Sequence, residues 1–332
     1  MSDPYTAPAY APAHGLDGVN KKMSELDLRL RQLLQSCQLT HLAFYDRDRA
    51  KMFAAETPRP PEDFPAEPGS ERLEHDGRQL FYILEELAPD FAELRTGALI
   101  RTVVRVPSGA LLYHSVAADF HLCCATRQDR ITELIARMNE GMDGLRPAVR
   151  YSMLHRRAYA SRYAAAGASA KPPAGEDDTE ADDVAEGNPY MVDTGADRAA
   201  GIGDLLRAAL GIHGLHYVAY YAAGVPACTA DIFRHPALRS HFGSATPQQR
   251  RDRYGLLGQL LPGVTDRMNT SLHALLEGEI QQIVLNVEQG AVYFQQLYDR
   301  HYLLGVSLNQ ARLAEADQHI ERLGRELADE AG

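Results

Sequence analysis

Chemistry would first be sought where histidine, cysteine and acidic residues crowd together. His114, Asp119, His121 and Cys123 lie close in sequence, and a nucleophile, a base and an orienting acid are the parts of acyl transfer. Alternation along a hairpin, however, places a few polar side chains on its solvent face without any catalysis. No GxSxG elbow occurs, so no triad is expected. His213 and His216, in HGLH, have the spacing of two metal ligands, but no nearby Cys or acid supplies a third. They read as turn and strand histidines with satisfied hydrogen bonds. Cys123 and Cys124 are adjacent on a predicted strand, which sends one thiol to the core and one to the opposite face. A GxxxxGK[ST] phosphate cradle is absent. GIGDLL at 201–206 lacks a third glycine and a preceding strand, and reads as a helix N-terminus. No catalytic residue, cofactor or metal is assigned, and the chain is not expected to be an enzyme.

Tyrosine is over-represented: sixteen Tyr and nine Phe accompany no Trp. Tyr217, Tyr220, Tyr221, Tyr293, Tyr298 and Tyr302 concentrate in the second half. Each taken alone reads as sheet packing, and the set leans toward an interface. The basic runs HRRAYASRY (155–163) and QQRRDRY (248–254) read as solvated helix faces.

The elements that would carry these residues fall into two domains, as 332 residues suggest. Residues 1–22 form a Pro/Ala-rich flexible tail, 23–150 a first domain, 151–200 a helical extension with an acidic flexible linker, and 201–330 a second domain. The 34 Lys+Arg against 45 Asp+Glu give −11, a sign that repels phosphate backbones, so nucleic acid is not an expected partner. Cys37, Cys123, Cys124 and Cys228 match no CxxC pattern, and no signal peptide precedes them. They read as buried thiols in a reducing cytoplasm. The most apolar stretch stops at Gly224 and Pro226, short of the ~20 residues that span a bilayer, so no membrane insertion is expected.

The two domains echo each other. LTHLAFY (39–45) matches LHYVAYY (215–221), and the run 97–126 matches 278–307 with Gly97/Gly278, Val103/Val284, Val106/Val287 and Gly109/Gly290 in register. Pro-Ser-Gly (107–109) and Glu-Gln-Gly (288–290) mark hairpins, with a further strand after each, at about 119–126 and 300–307. First helices are expected at 25–37 and 203–211. Long helical segments are expected at about 70–96, interrupted at Pro89, and 246–277, interrupted at Pro262-Gly263. Closing helices follow at 127–145 and at 309–328, the latter behind Asn309 as N-cap. The order per half, α-β-β-α-β-β-β-α, predicts an α+β fold, a five-stranded antiparallel sheet with flanking helices, made twice.

That order, with the run 290–309 ending in YLLGVSLN, resembles the roadblock domain family, small modules related to longin and profilin domains. The resemblance covers most of 25–147 and 201–330. It implies that the third strand and long second helix of each module pair two modules into one sheet. It also implies that such a pair binds Ras-like GTPases, dynein or trafficking scaffolds. Carried over by position, the pairing strands are about 99–106 and 280–287, with Val103, Arg105, Val284 and Asn286 as pairing residues. An internal pseudo-dimer is one arrangement and a homo-oligomer the other. A flexible linker of about 37 residues spans roughly 30–37 Å, enough for the first. Two departures stand out. Asn309 is followed by Gln310 and Ala311 where family members often carry Gly, and 57–69 inserts a Pro-rich loop. The expectation is a non-catalytic cytoplasmic protein that binds a small Ras-like GTPase. The alternatives are a small-molecule-sensing module of PAS or GAF type, with a cavity lined by hairpin His, Cys and Tyr residues, and a structural scaffold.

Overall fold

The computed structural model describes residues 28, 30–33, 37, 39–47, 49–55, 70–117, 120–127, 137–138, 189–193, 199–243, 245–273, 275–298 and 300–331. Eleven strands form one sheet: β1 (His41–Asp46), β2 (Arg49–Ala55), β3 (Leu99–Val106), β4 (Gly109–Ala117), β5 (Phe120–Thr126), β6 (Tyr190–Asp193), β7 (Tyr217–Ala222), β8 (Val225–Asp231), β9 (Gln282–Val287), β10 (Gly290–Tyr298) and β11 (His301–Ser307). Their order across the sheet is β2-β1-β5-β4-β3-β9-β10-β11-β7-β8-β6. Helices α1 (Ser70–Leu94), α2 (Ala199–Ala209), α3 (Pro247–Ser271) and α4 (Leu313–Ala331) pack on it. Mixed helices on an antiparallel sheet make this an α+β fold, with one continuous sheet where two separate five-stranded ones could have stood.

Both faces are covered. Leu80, Leu84, Leu87 and Phe91 of α1 and Leu257, Leu261, Val264 and Met268 of α3 share one core with Val104, Leu111, Ile283 and Phe294 of the sheet. Leu206, Ala316, Ile320 and Leu323 of α2 and α4 share the other with Val103, Leu112, Val284 and Tyr293, as do Leu30 and Leu33. This two-sided burial corrects the expected fate of Cys123 and Cys124. Alternation does send them to opposite faces, but each face is a core, and both thiols are fully buried.

The two expected helix interruptions do not occur, because α1 runs through Pro89 and α3 through Pro262. A proline inside a helix strips the carbonyl four residues earlier of its amide partner. At Pro262 that carbonyl belongs to Gly258, and the Tyr302 hydroxyl donates to it at 3.1 Å. Pro89 is solvent-exposed, where water can serve the freed carbonyl. Thr246 starts α3 with a capping box: its hydroxyl accepts from the Gln249 amide at 3.1 Å, and the Gln249 side chain accepts from the Thr246 amide at 3.0 Å. Asn309 caps a 3-10 turn, Gln310–Arg312, one step ahead of α4.

A second correction concerns 151–200. Residues 190–193, expected in the flexible linker, form β6, which pairs with β8 and closes that edge of the sheet. Tyr190, Met191 and Val192 supply the strand-forming types that the surrounding acids mask in a composition reading. The 1–22 tail, the 57–69 loop and all but three residues of the 127–145 helix lie outside the described residues.

At the centre of the sheet β3 and β9 run antiparallel, with Val103 opposite Val284, Arg101 opposite Asn286 and Arg105 opposite Gln282. Val103 and Val284 are the positions the internal repeat aligns with each other. An antiparallel pair in which a residue faces its own equivalent has a local two-fold axis at that residue, the signature of an isologous contact. The strand order obeys the same axis: β2-β1-β5-β4-β3 on one side answers β8-β7-β11-β10-β9 on the other.

Candidate functional site: the seam between the halves and the helices above it

The seam is polar on the face shared with α4. Arg101 donates to Asn286 Oδ1 at 3.0 Å, and Arg105 pairs with Glu321 of α4. Asn286 and Gln282 are buried. Burial pushes the Asp317 carboxyl above its ordinary range, opposed by Tyr293, Arg105 and Arg101. Val103, Arg105, Val284 and Asn286 therefore stand on the same face of adjacent strands. Arg105 reaches Glu321, while Asn286 is held by Arg101; neither Glu321 nor Arg101 was singled out from the sequence.

On the opposite face α1 and α3 lie side by side. Arg267 pairs with Glu86 and Arg253 with Glu93, both across the halves. Beside these charges Leu256 and Leu260, one helical turn apart on α3, are 51% and 47% exposed, and Tyr82 on α1 is 43% exposed. Single exposed apolar residues are ordinary. Three on one helix pair, rimmed by charges, have the composition of an interaction surface. Leu256 and Leu260 fall outside the buried stripe Tyr254, Leu257, Leu261, Val264 and Met268, a spacing signal readable in the sequence but not used there.

The residues that first suggested chemistry are otherwise employed. His114 and His121 are buried, against the expected solvent face: His121 lies under α1 against Phe81, and His114 lies between Leu112 and Val116 on the other face, which is also a core. Asp119 lies outside the described residues. The His121 ring stacks between Tyr45 (4.9 Å) and Phe81 (4.6 Å), and burial pushes its pKa down to about 3. Burial likewise pushes the Cys123 thiol up to about 12, with Asp76 adding to the shift, the reverse of what a nucleophile needs. His216 Nδ1 accepts from the Leu308 amide at 2.8 Å and its Nε2 bonds the Ile212 carbonyl at 3.2 Å, which fixes a neutral ring. His213 is exposed. Among the described residues no group of three or more His, Cys, Asp or Glu side chains is placed to hold a metal ion, and no helix is long and apolar enough to cross a membrane.

Of the six second-half tyrosines only Tyr298 is exposed, so the set lines the core instead of an interface. In the basic run 248–254, Arg250 and Arg251 are buried, a third correction. Arg251 makes a two-pronged pair with Asp231 (2.6 and 3.1 Å) and stacks on the Tyr190 ring at 3.7 Å. Arg250 donates to the His241 carbonyl at 2.6 Å and lies over Phe242. The run 155–163 is outside the described residues.

A cavity of about 600 Å³ opens in the first half, between α1 and strands β3, β4 and β5. Phe81, Phe91, Tyr113 and His121 are among its lining residues, with the exposed Glu85 and Arg95, while the Phe120 ring turns to the other face of the sheet and stacks on Phe44.

No protein-family model matches the chain, and no curated protein matches it. Among solved structures, the gliding protein MglB from Thermus thermophilus superposes with a TM-score of 0.33 and 9% identity, over 40% of this chain and 94% of that one. That likeness is partial and assigns no function.

Proposed function

We propose that the chain is a non-enzymatic regulatory protein made of two roadblock-like modules, residues 23–150 and 201–330 joined by 151–200, which binds one small Ras-like GTPase. The observation that carries this reading is the seam. The third strands and the long second helices of the two halves lie side by side about one axis, with Val103 on Val284, the association that the roadblock resemblance implies for paired modules. The two sites of a homodimer are thereby replaced by one internal pair whose halves differ. The partner docks on the α1/α3 face, where Leu256, Leu260 and Tyr82 are exposed. Different affinity for the GTP and GDP forms would shift the partner's switch equilibrium by that difference alone. The test is affinity capture from the source organism on immobilised full-length chain, with a non-hydrolysable GTP analogue in one arm and GDP in the other. One small GTPase enriched in one nucleotide state, and lost with the double variant Leu256→Glu/Leu260→Glu, supports the reading. No GTPase in either arm overturns it.

A further inference from the structure

We infer that the α1/α3 face recognises a basic protein surface, an apolar patch ringed by Lys and Arg side chains. The inference rests on the docking face assigned above and adds the chemistry of what docks there. Two stripes make up the face. Tyr82, Glu86, Pro89 and Glu93 follow one another along α1 at three- and four-residue steps, as do Arg253, Leu256, Leu260, Gly263 and Arg267 along α3, the spacing that sets side chains on one side of a helix. Arg253 with Glu93 and Arg267 with Glu86 tie the stripes together. Leu256 and Leu260 therefore stand between the two ion pairs, and the exposed Pro89 and Gly263 on the same stripes are too short to cover them.

Charge around this apolar centre is one-sided. Both stripe arginines are already paired, whereas Glu85, Asp90, Asp252 and Asp266 have no cation partner among the described residues. Each lies three or four residues from a stripe member, Glu85 from Pro89, Asp90 from Glu86, Asp252 from Leu256 and Asp266 from Gly263, and so flanks the strip. Against them, among the described side chains, stands Arg95, directly after α1. Pro89 also strips the Glu85 carbonyl of its helical amide partner, which adds a backbone acceptor to the carboxylates of the rim. The opposite face is balanced. There Asp204 pairs with Arg207, Glu315 with Arg312, Glu321 with Arg105 and Glu326 with Arg322, leaving Asp329 against Arg325. The acidity is thus a property of the α1/α3 face and not only of the chain's net −11. Leucines inside a ring of unpaired acids are complementary to apolar side chains inside a ring of cations, and they repel nucleic acid and anionic headgroups.

The probe is a synthetic amphipathic helical peptide of Leu and Lys, with its Leu/Glu counterpart as comparison, titrated into the full-length chain. The expected result is saturable binding of the Leu/Lys peptide at one per chain, at least tenfold tighter than the Leu/Glu peptide and weakening as salt is raised. Leu256→Glu/Leu260→Glu adds negative charge, so a contact driven by charge alone would tighten; binding should instead fall at least tenfold. Glu85→Lys/Asp266→Lys should weaken it at least fivefold, while Glu326→Lys/Asp329→Lys, the same change in charge on α4, leaves it unchanged. Should a lysine variant melt early, Glu85→Gln/Asp266→Asn replaces it. Absence of saturable binding, equal binding of the two peptides, tighter binding by the leucine variant or an equal loss in the α4 variant overturns the inference. GTPase capture is read separately. A GTPase captured undiminished by Glu85→Lys/Asp266→Lys overturns the charge assignment and leaves the GTPase, whereas peptide binding as expected with no GTPase captured removes the GTPase and leaves the basic surface.

Discussion

The two halves keep one device in common and fill it differently. In each, a helix glycine lies so close to a strand tyrosine that a Cβ there would overlap the hydroxyl: Gly77 over Tyr45, Gly258 over Tyr221. The tyrosine stacks on the ring beside it, His121 in the first half and Tyr302 in the second. The helix residue stacked on that ring in the first half is Phe81, and the position that the repeat aligns with it is Pro262. Phe81 stacks on His121, whereas Pro262 frees the Gly258 carbonyl for the Tyr302 hydroxyl. Each pair is consistent within its own half and would fail if exchanged singly. The backbone arrangement is shared, and the side chains around it differ in matched pairs, a ring stack in one half and a ring stack with a hydrogen bond to a helix carbonyl in the other.

The largest difference lies at the outer edges. Among the described residues only the second half carries a buried ion pair there, Arg251 with Asp231, roofed by Tyr190 of β6. The repeat places Ala55 opposite Asp231 and Ser70 near Arg251, so the first half has no counterpart at these positions. Removing one partner strands a buried charge, which costs about 3–5 kcal/mol. Arg251→Ala should lower the denaturation midpoint accordingly, and the double variant Arg251→Met/Asp231→Leu should recover most of the loss. If Arg251→Ala costs less than about 1 kcal/mol, the pair does not hold β6 and the outer edges are equivalent after all.

Acid should separate the halves next. His216 occupies the position that Thr40 holds in the first repeat, and its folded pKa is pushed down to about 4. The unfolded chain takes up the proton near the ordinary value of about 6.5, so the contribution of neutral His216 is complete above that pH. It is lost progressively as the pH falls to about 4, by at most roughly 3 kcal/mol. His41 and His121, lowered to about 3 in the first half, add their own losses from the same starting pH and continue them further into acid. Urea midpoints from pH 7.5 to 4 should fall less steeply in a His216→Asn variant than in the parent.

How much of this was legible in the sequence depends on where the signal was periodic. The repeat, the hairpins at 107–109 and 288–290 and the pairing strands were readable because β-branched alternation and turn residues recur in register. The prolines misled, since the tyrosine that rescues the Gly258 carbonyl comes from a strand forty-four residues away in sequence. Arg250 and Arg251 were read as solvated because local charge density says nothing about an Asp brought in by another strand. Strand β6 was hidden by the acids around it. The cavity could not be read at all: it arises from small residues on α1 facing a strand hairpin, and no spacing rule marks an absence of side chains.

The matched pairs of the central device give the third test. Tyr302→Phe leaves the Gly258 carbonyl without a partner in a buried site, at a cost of about 1–3 kcal/mol. His121→Phe removes a buried nitrogen that has no partner among the described residues, and should be neutral or slightly stabilising. Chemical denaturation of the two variants side by side checks the asymmetry. Equal losses in both would mean that the ring position serves the same purpose in each half.

The smallest effect bears on why the halves pair with each other. Glu86 and Arg267 are repeat equivalents, so the local axis that sets Val103 on Val284 also sets these two together. Two copies of the first half would place Glu86 against Glu86, and two copies of the second Arg267 against Arg267. Only the internal pair brings opposite charges together, which selects against the alternatives by repulsion as much as by attraction. Both side chains are about half exposed, so the attraction contributes only ~0.2–1 kcal/mol and weakens with salt. Glu86→Arg should cost a few tenths of a kcal/mol at low salt, and the swap Glu86→Arg/Arg267→Glu should restore the parent midpoint. The more telling readout is assembly: the single variant should show more concentration-dependent self-association in sedimentation velocity than the swap. A swap that behaves like the single variant would mean that β3–β9 pairing, with its apolar centre at Val103 and Val284, selects the partner without help from the helices.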